Sequence, residues 1–186
     1  MAYTGQVIEN SVSGEKITFR RTSADTNGEL LEFDIELTPD GQVPGMHVHP
    51  VQEERFEVLS GNVRFRKGLR RITATAGDVV VVEPGAAHKF ENVGGETASM
   101  RVRVTPALEM ERLFETAVSL AEEGHVTSKG MPKPLDLALF VREFKHEVRG
   151  PGTPGWAQRA ALAPLAWVAR HRGRAERYAQ PKPAYA

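Results

Sequence analysis

Apolar and polar residues alternate along much of the first 105 residues, and this period of two predicts β-strands. Residues 29–37 show the pattern most clearly, with Leu31, Phe33, Ile35 and Leu37 on one face and acidic residues on the other. Shorter runs of the same kind occur at residues 15–21, 62–65, 71–75 and 99–104. Many short strands separated by turn sequences are typical of a sandwich or a barrel.

One predicted strand has a different pattern. Residues 79–82 are four consecutive valines, which follow an Ala-Gly-Asp turn and end at Glu83-Pro84-Gly85. A continuous β-branched run without polar interruptions predicts a strand that is buried on both of its faces.

The pattern changes to a helical period after residue 105. Thr105 and Pro106 form an N-cap and first-turn signature, and apolar residues then recur every three or four positions from Met110 to Ala121. Similar spacing predicts a second helix near residues 137–148 and a third over roughly 156–171, which Pro164 should kink. We therefore expect two units, a β-barrel at 1–106 and an extension of about three helices at 107–186, with a frayed tail after Tyr178.

The helical extension has apolar faces that must be covered, and three arrangements are open. The favoured one packs the helices on the barrel exterior or in a dimer interface. In a second arrangement they cover the barrel mouth and shape a substrate pocket. In a third, the apolar run 160–169 and the arginines that follow it contact an anionic membrane, although those arginines are better interpreted as a solvated face.

Three histidines and a glutamate form the candidate functional site. His47 and His49 are two residues apart, so a strand would place both side chains on the same face. Glu54 follows them, and His88 comes later in the chain. Three imidazoles and one carboxylate that converge on a point would bind a divalent transition metal such as Fe, Ni, Mn, Cu or Zn.

The choice of carboxylate ligand depends on strand parity. Glu54 shares a face with the apolar residues Phe56 and Val58, whereas Glu53 shares a face with charged residues that should be solvated. This parity favours Glu54, with Glu53 as the alternative. The remaining histidines, at 125, 146 and 171, lie in the helical region without ligand spacing, and we expect them at the surface.

The spacing of these residues resembles the two motifs of the cupin superfamily. The first motif, G-x5-H-x-H-x(3,4)-E-x6-G, matches Gly41, His47, His49, Glu54 and Gly61. The second, G-x5-P-x-G-x2-H-x3-N, matches at Gly77, Gly85, His88 and Asn92, with Pro84 one position later than the pattern. The resemblance covers about residues 30–105. It implies a double-stranded β-helix (a jelly-roll barrel), one metal ion held by the three histidines and Glu54, and a homodimer.

The same ligand set indicates the possible functions. Four protein ligands leave one or two coordination positions for water, dioxygen or a substrate oxygen, and Glu54 either stays bound or acts as a general base. We expect a dioxygenase-like enzyme that acts on a small oxygenated organic molecule. A Lewis-acid isomerase or cyclase and a non-catalytic cupin that binds metal or a small molecule are the alternatives.

Composition and charge limit the classes of binding partner, the metal ligands and the cellular location that we expect. The chain has 24 basic and 24 acidic residues, and a formal net charge of zero argues against a nucleic-acid-binding protein. It has no cysteine, so neither disulfides nor thiolate ligands can form. The first residues have no signal-peptide features and no segment reaches the ~18 apolar residues of a membrane span, so we expect a cytoplasmic protein without membrane contact.

Overall fold

Two antiparallel sheets form the first part of the molecule, as described by a computed structural model that covers residues 2–178. The six-stranded sheet has the order β1-β2-β3-β10-β5-β8, and the four-stranded sheet has the order β4-β9-β6-β7. The strands are β1 Val7–Asn10, β2 Glu15–Arg21, β3 Leu31–Leu37, β4 His47–Val48, β5 Glu53–Ser60, β6 Asn62–Lys67, β7 Arg70–Thr75, β8 Val79–Val82, β9 Ala87–Asn92 and β10 Ala98–Thr105. The predicted jelly-roll architecture is confirmed.

The core lies between the two sheets and is built from the alternating positions of each strand. On β3 the four apolar residues are each at most 3% exposed. Phe56 of the six-stranded sheet lies 5.2 Å from the rings of both Phe65 and Phe90 on the four-stranded sheet. Tilted and edge-on aromatic contacts of this kind join the sheets at the centre of the barrel.

The valine run at residues 79–82 does not behave as predicted. Val80 and Val82 are buried, but Val79 is 42% exposed. The reason is the register of β8 on β5: Val79 pairs with the exposed Glu57, so it lies on the solvent face of the sheet. A run of β-branched residues predicted the strand correctly and its two-sided burial wrongly.

Four α-helices and one 3-10 helix follow the strands within the described residues. They are α1 Met110–Glu122, α2 Pro134–Glu143, α3 Gly155–Ala161, α4 Ala163–His171 and the 3-10 helix Arg174–Tyr178. The predicted tail after Tyr178 lies outside the described residues. No helix in the part of the chain described here is long and apolar enough to cross a membrane.

The predicted start of the first helix is wrong, whereas the predicted interruption of the third helix near Pro164 is confirmed. Thr105 does not cap a helix, because β10 continues to this residue and a turn over Pro106–Glu109 precedes α1. The predicted third helix is divided into α3 and α4 at Leu162, and Pro164 lies in the first turn of α4. A proline is tolerated there because a first-turn amide has no partner within the helix.

A buried ion cluster fixes the end of the described chain against α2. The carboxylate of Asp136 is fully buried and pairs with Arg174, with Arg177 at 3.3 Å and with His125 at 3.3 Å. His125 was predicted at the surface, but its side chain is only 22% exposed because it belongs to this cluster. His146 and His171 are exposed as predicted.

The extension is joined to the barrel by specific hydrogen bonds. Arg149, which follows α2, forms a β-bridge with Val48, with N–H to carbonyl distances of 2.9 and 3.0 Å in the two directions. The buried side-chain amide of Gln52 donates to the carbonyls of Pro106 and Ala107. The strands end at Thr105, and the division into separate domains at residue 106 stays a prediction.

Candidate metal centre

The three predicted histidines meet on the four-stranded sheet. His47 on β4 pairs directly with His88 on β9, and His49 follows β4 by one residue. The ring centroid of His47 lies 4.3 Å from that of His88 and 4.9 Å from that of His49. The i, i+2 spacing and the strand pairing together bring three imidazoles to one point.

The carboxylate comes from the opposite sheet. Glu54 on β5 is 4% exposed, and its Oε2 lies 2.7 Å from Nε2 of His88 and 3.4 Å from Nε2 of His49. One ligand atom from each of the four residues lies within 4.8 Å of the others. Glu53 is exposed on the outer face of the strand, so the structure places Glu54 in the cluster and leaves Glu53 outside it.

Each imidazole is hydrogen-bonded to a backbone carbonyl through its Nδ1 atom, while Nε2 faces the centre of the cluster. The Nδ1 atoms of His47, His49 and His88 lie 3.0, 2.5 and 3.2 Å from the carbonyl oxygens of Gly45, Glu147 and Ala86 respectively. A carbonyl only accepts, so each Nδ1 carries the proton and donates it. Each Nε2 therefore keeps its lone pair, which is the arrangement that supports histidine as a metal ligand.

Three atoms at the centre of the cluster have no hydrogen-bond partner. They are Nε2 of His49, Nε2 of His88 and Oε2 of Glu54, and all three are buried. When His88 is neutral, its 2.7 Å distance to Glu54 is a contact between two acceptors, which either a shared proton or a cation would relieve. A buried unsatisfied polar atom costs about 1–3 kcal/mol, and a cation at the centre would satisfy all three. These residues could hold a metal ion.

The protonation states also suit a cation. Burial alone would raise the pKa of Glu54, but the facing histidines, His49 first, outweigh it and lower the pKa to about 2. Burial, together with the charges of His49 and His88, lowers the pKa of His47 to about 3. At neutral pH the carboxylate is ionised and this imidazole is neutral, and these are the forms that bind metal.

The cluster is least buried at His47. His49, Glu54 and His88 are at most 4% exposed, whereas His47 is partly exposed. On the inner side, the ring of Phe56 lies 6.4 Å from that of His88. The larger apolar residues of the barrel interior are buried members of the core, among them Phe33, Phe56, Phe90 and Met100. Access from solvent is therefore on the His47 side.

The helical extension supports this site through contacts that no sequence motif identifies. The carbonyl that holds His49 belongs to Glu147, 98 positions later in the chain. Met131 packs beside Gly45, with its sulfur 3.3 Å from where a β-carbon on that glycine would lie. A backbone carbonyl has no side-chain signature, so no motif could have revealed the first of these contacts.

Comparison with known proteins agrees with the geometry. Residues 33–104 match the family model of the cupin domain. The predicted membership of the cupin superfamily is confirmed, and the site lies inside the matched segment. A search of curated proteins finds no match to the chain.

Solved structures share the barrel. A predicted oxalate decarboxylase from Thermotoga maritima is 22% identical with a TM-score of 0.50, covering 55% of this chain and 92% of that one. An oxalate oxidase is 22% identical with a TM-score of 0.47, covering 57% of this chain and 59% of that one. An uncharacterised protein with a double-stranded β-helix domain from Klebsiella pneumoniae is 18% identical with a TM-score of 0.47, covering 57% and 90%. At 22% identity the first of these likenesses shows the fold and leaves the activity open.

Proposed function

We propose that this protein is a mononuclear metalloenzyme in which His47, His49, His88 and Glu54 hold one divalent transition metal. The observation that carries the proposal is the group of three buried, unpartnered ligand atoms beside the partly exposed His47. A purely structural site would not require one side to be open. The open side is where a small molecule would reach the ion.

The proposed reaction class is dioxygenase-like, with a small oxygenated organic molecule as substrate. Bound at this site, a redox-active ion would supply dioxygen chemistry and a redox-inactive ion would supply Lewis-acid chemistry. The ligand set of nitrogen and oxygen donors, without thiolate, suits Fe, Ni, Mn, Cu or Zn. The identity of the metal, a homodimeric state and a cytoplasmic location all stay predictions.

Glu54 acts in this proposal as a ligand and not as a general base. The lowered pKa of Glu54 keeps the carboxylate ionised at neutral pH, which is the form that binds a metal ion. Its oxygen also faces the histidine nitrogens directly, at 2.7 and 3.4 Å. The residue therefore contributes charge that stabilises the cation, and a proton acceptor would have to come from the substrate or from water.

One observation favours the alternative, a non-catalytic cupin that binds metal. The barrel interior behind the site is filled by Phe56, Phe65 and Phe90, each at most 6% exposed. A substrate would therefore have to bind on the His47 side and not inside the barrel. A small bidentate molecule meets that condition, which is why the enzyme remains the favoured function.

Metal analysis followed by an oxygen assay tests the proposal. Protein purified without added metal or chelator would be compared as wild type, His88→Ala, Glu54→Gln and the control His171→Ala, which changes an exposed histidine. We expect about one ion per chain in wild type and control and a large loss in the two site variants. Circular dichroism would establish that all four proteins fold.

The metal-loaded protein would then be assayed for dioxygen consumption with catechol-like and diketone-like substrates. Consumption by wild type and its loss in both site variants would support the dioxygenase. Metal binding with no turnover would favour the Lewis-acid or non-catalytic alternative. A folded wild type that binds none of the five metals would contradict the whole proposal.

A further inference from the structure

The helical extension contains a cleft that is separate from the metal centre. It has a volume of about 400 Å³ and lies among α2, α4 and the 3-10 helix, with Arg159 of α3 at its margin. None of its lining residues belongs to the histidine–glutamate cluster. A volume of this size lies within the range of small-molecule sites.

The lining of this cleft is strongly basic. Four cationic side chains face it, from Arg142, Lys145, Arg159 and Arg170. The carboxylate in the lining, Glu143, is already paired with the buried guanidinium of Arg112. The cleft therefore carries an excess of positive charge that its own carboxylate does not neutralise.

The four cations have no acidic partner among residues 2–178. Their hydrogen bonds within that range include one from the Arg142 guanidinium to the carbonyl of Arg159, at 3.3 Å. By contrast, Arg174 and Arg177, which follow shortly in the chain, are both paired with Asp136. The basic run that the sequence predicted as one solvated face is thus divided, and Arg170 is directed to the cleft.

Burial makes this arrangement different from a solvated patch. Arg142 and Arg159 are half-buried, so their charges are screened less by solvent than those of exposed residues. Guanidinium groups also bind carboxylates and phosphates through two parallel hydrogen bonds. Several converging cations around a cavity are the features of a polyanion site.

We propose that this cleft binds a small polyanion, a molecule that carries a phosphate group or at least two carboxylates. Arg142 and Arg159 contact the anionic groups, and Lys145 and Arg170 at the exposed margin add attraction at longer range. The site is independent of the metal centre and gives the helical extension a ligand-binding role of its own.

Titration calorimetry on the full chain tests this site, with pyrophosphate and citrate as the probes at low and at physiological ionic strength. The variants are Arg142→Gln and Arg159→Gln, with Arg170→Gln as an exposed substitution that should not affect folding. The control is Arg172→Gln, which removes an exposed charge outside the cleft lining. Thermal unfolding would establish that each variant is folded.

We expect saturable binding of at least one probe at one site per chain, weakened about 10-fold or more by each cleft substitution and little changed in the control. Preference for pyrophosphate or for citrate would identify the phosphate or the carboxylate class. If Arg172→Gln weakened binding as much as the cleft variants do, any loss of positive charge would explain the effect. That result would overturn the proposal. Absence of saturable binding by both probes at low ionic strength would also overturn it.

Discussion

The barrel and the helical extension are stabilised in different ways. Apolar side chains from two sheets meet in the barrel, with Phe56, Phe65 and Phe90 in mutual contact. The extension also buries apolar side chains, such as Phe140 and Phe144, and it adds buried ion pairs around Asp136. The barrel thus provides a rigid frame for the ligands, while the extension supplies charged groups and reaches the site through hydrogen bonds.

The largest expected effect is on the barrel core. Phe56→Ala would remove a fully buried ring from between the sheets and lower the free energy of unfolding by about 4 kcal/mol. Chemical denaturation monitored by circular dichroism would measure it. The control Val79→Ala changes a 42% exposed residue of the neighbouring strand and should shift stability by about 0.5 kcal/mol or less. Similar values for the two variants would contradict the assigned core.

Asp136→Asn should have the next largest effect, in the extension. It removes the buried charge that Arg174 and Arg177 share, at an expected cost of about 2–3 kcal/mol, because both arginines are partly exposed and can regain water. The matched control is Glu123→Gln. The side chain of Glu123 also pairs with Arg177, but Glu123 is 42% exposed. That control should cost less than about 1 kcal/mol in the same denaturation experiment. Equal costs would show that burial does not decide the strength of this cluster.

A smaller effect, on metal affinity, is expected at the contact between the barrel and the helical extension. Arg149→Pro removes the N–H that donates to the carbonyl of Val48 and should loosen the segment whose Glu147 carbonyl holds His49. We expect metal affinity to fall about 10-fold, in the range found for groups that orient a ligand. Arg149→Ala keeps the N–H and should leave the affinity unchanged. Metal titration with a competing chelator would separate the two variants, and identical affinities would mean that the extension does not position His49.

The last expected effect is a contribution of Glu15, in the barrel, to the dependence of stability on pH, and it is measured as a slope and not as a single loss of free energy. Burial raises the pKa of Glu15 from 4.5 to about 7 against the opposing hydrogen bond from Ser13. The folded state therefore binds a proton at Glu15 that the unfolded state has lost, so the contribution of Glu15 to stability falls as the pH rises from about 4.5 to about 7. The slope of this contribution is at most about 1.4 kcal/mol per pH unit. The lowered pKa of His47 contributes a slope of opposite sign below about pH 6.5, so the test is the difference between two proteins. Between about pH 4.5 and 7 the free energy of unfolding of Glu15→Gln should rise with pH relative to that of wild type, and an identical pH dependence in both proteins would contradict the assignment to Glu15.

Sequence predicted the barrel better than the extension because the two signals differ in physical origin. Alternation along β3 and β5 directly reflects which side chains enter the core, and the same parity distinguished Glu54 from Glu53. The valines of β8 failed this test because a run of identical apolar residues does not show that one face of its strand is open to solvent. Helix boundaries near Thr105 depended on how far β10 continues, which is a matter of strand pairing and not of local propensity.

The candidate site was predictable in its side chains and unpredictable in its supports. Two histidines at i and i+2 and the later His88 are recognisable by spacing. The carbonyl of Glu147 and the packing of Met131 on Gly45 arise only from the tertiary fold. The basic cleft was also hidden, because the arginines of one continuous run have different partners in three dimensions.

X-ray absorption spectroscopy of the metal-loaded protein, at the edge of the bound metal, tests the central claim most directly. Wild type should show three imidazole nitrogens and one carboxylate oxygen at about 2.0–2.2 Å, the distances typical of such ligands on zinc. His88→Ala should lose one imidazole contribution, and Glu54→Gln should lose the carboxylate. A wild-type spectrum without imidazole scattering, or one that is unchanged in both variants, would show that the metal is bound elsewhere and would contradict the account.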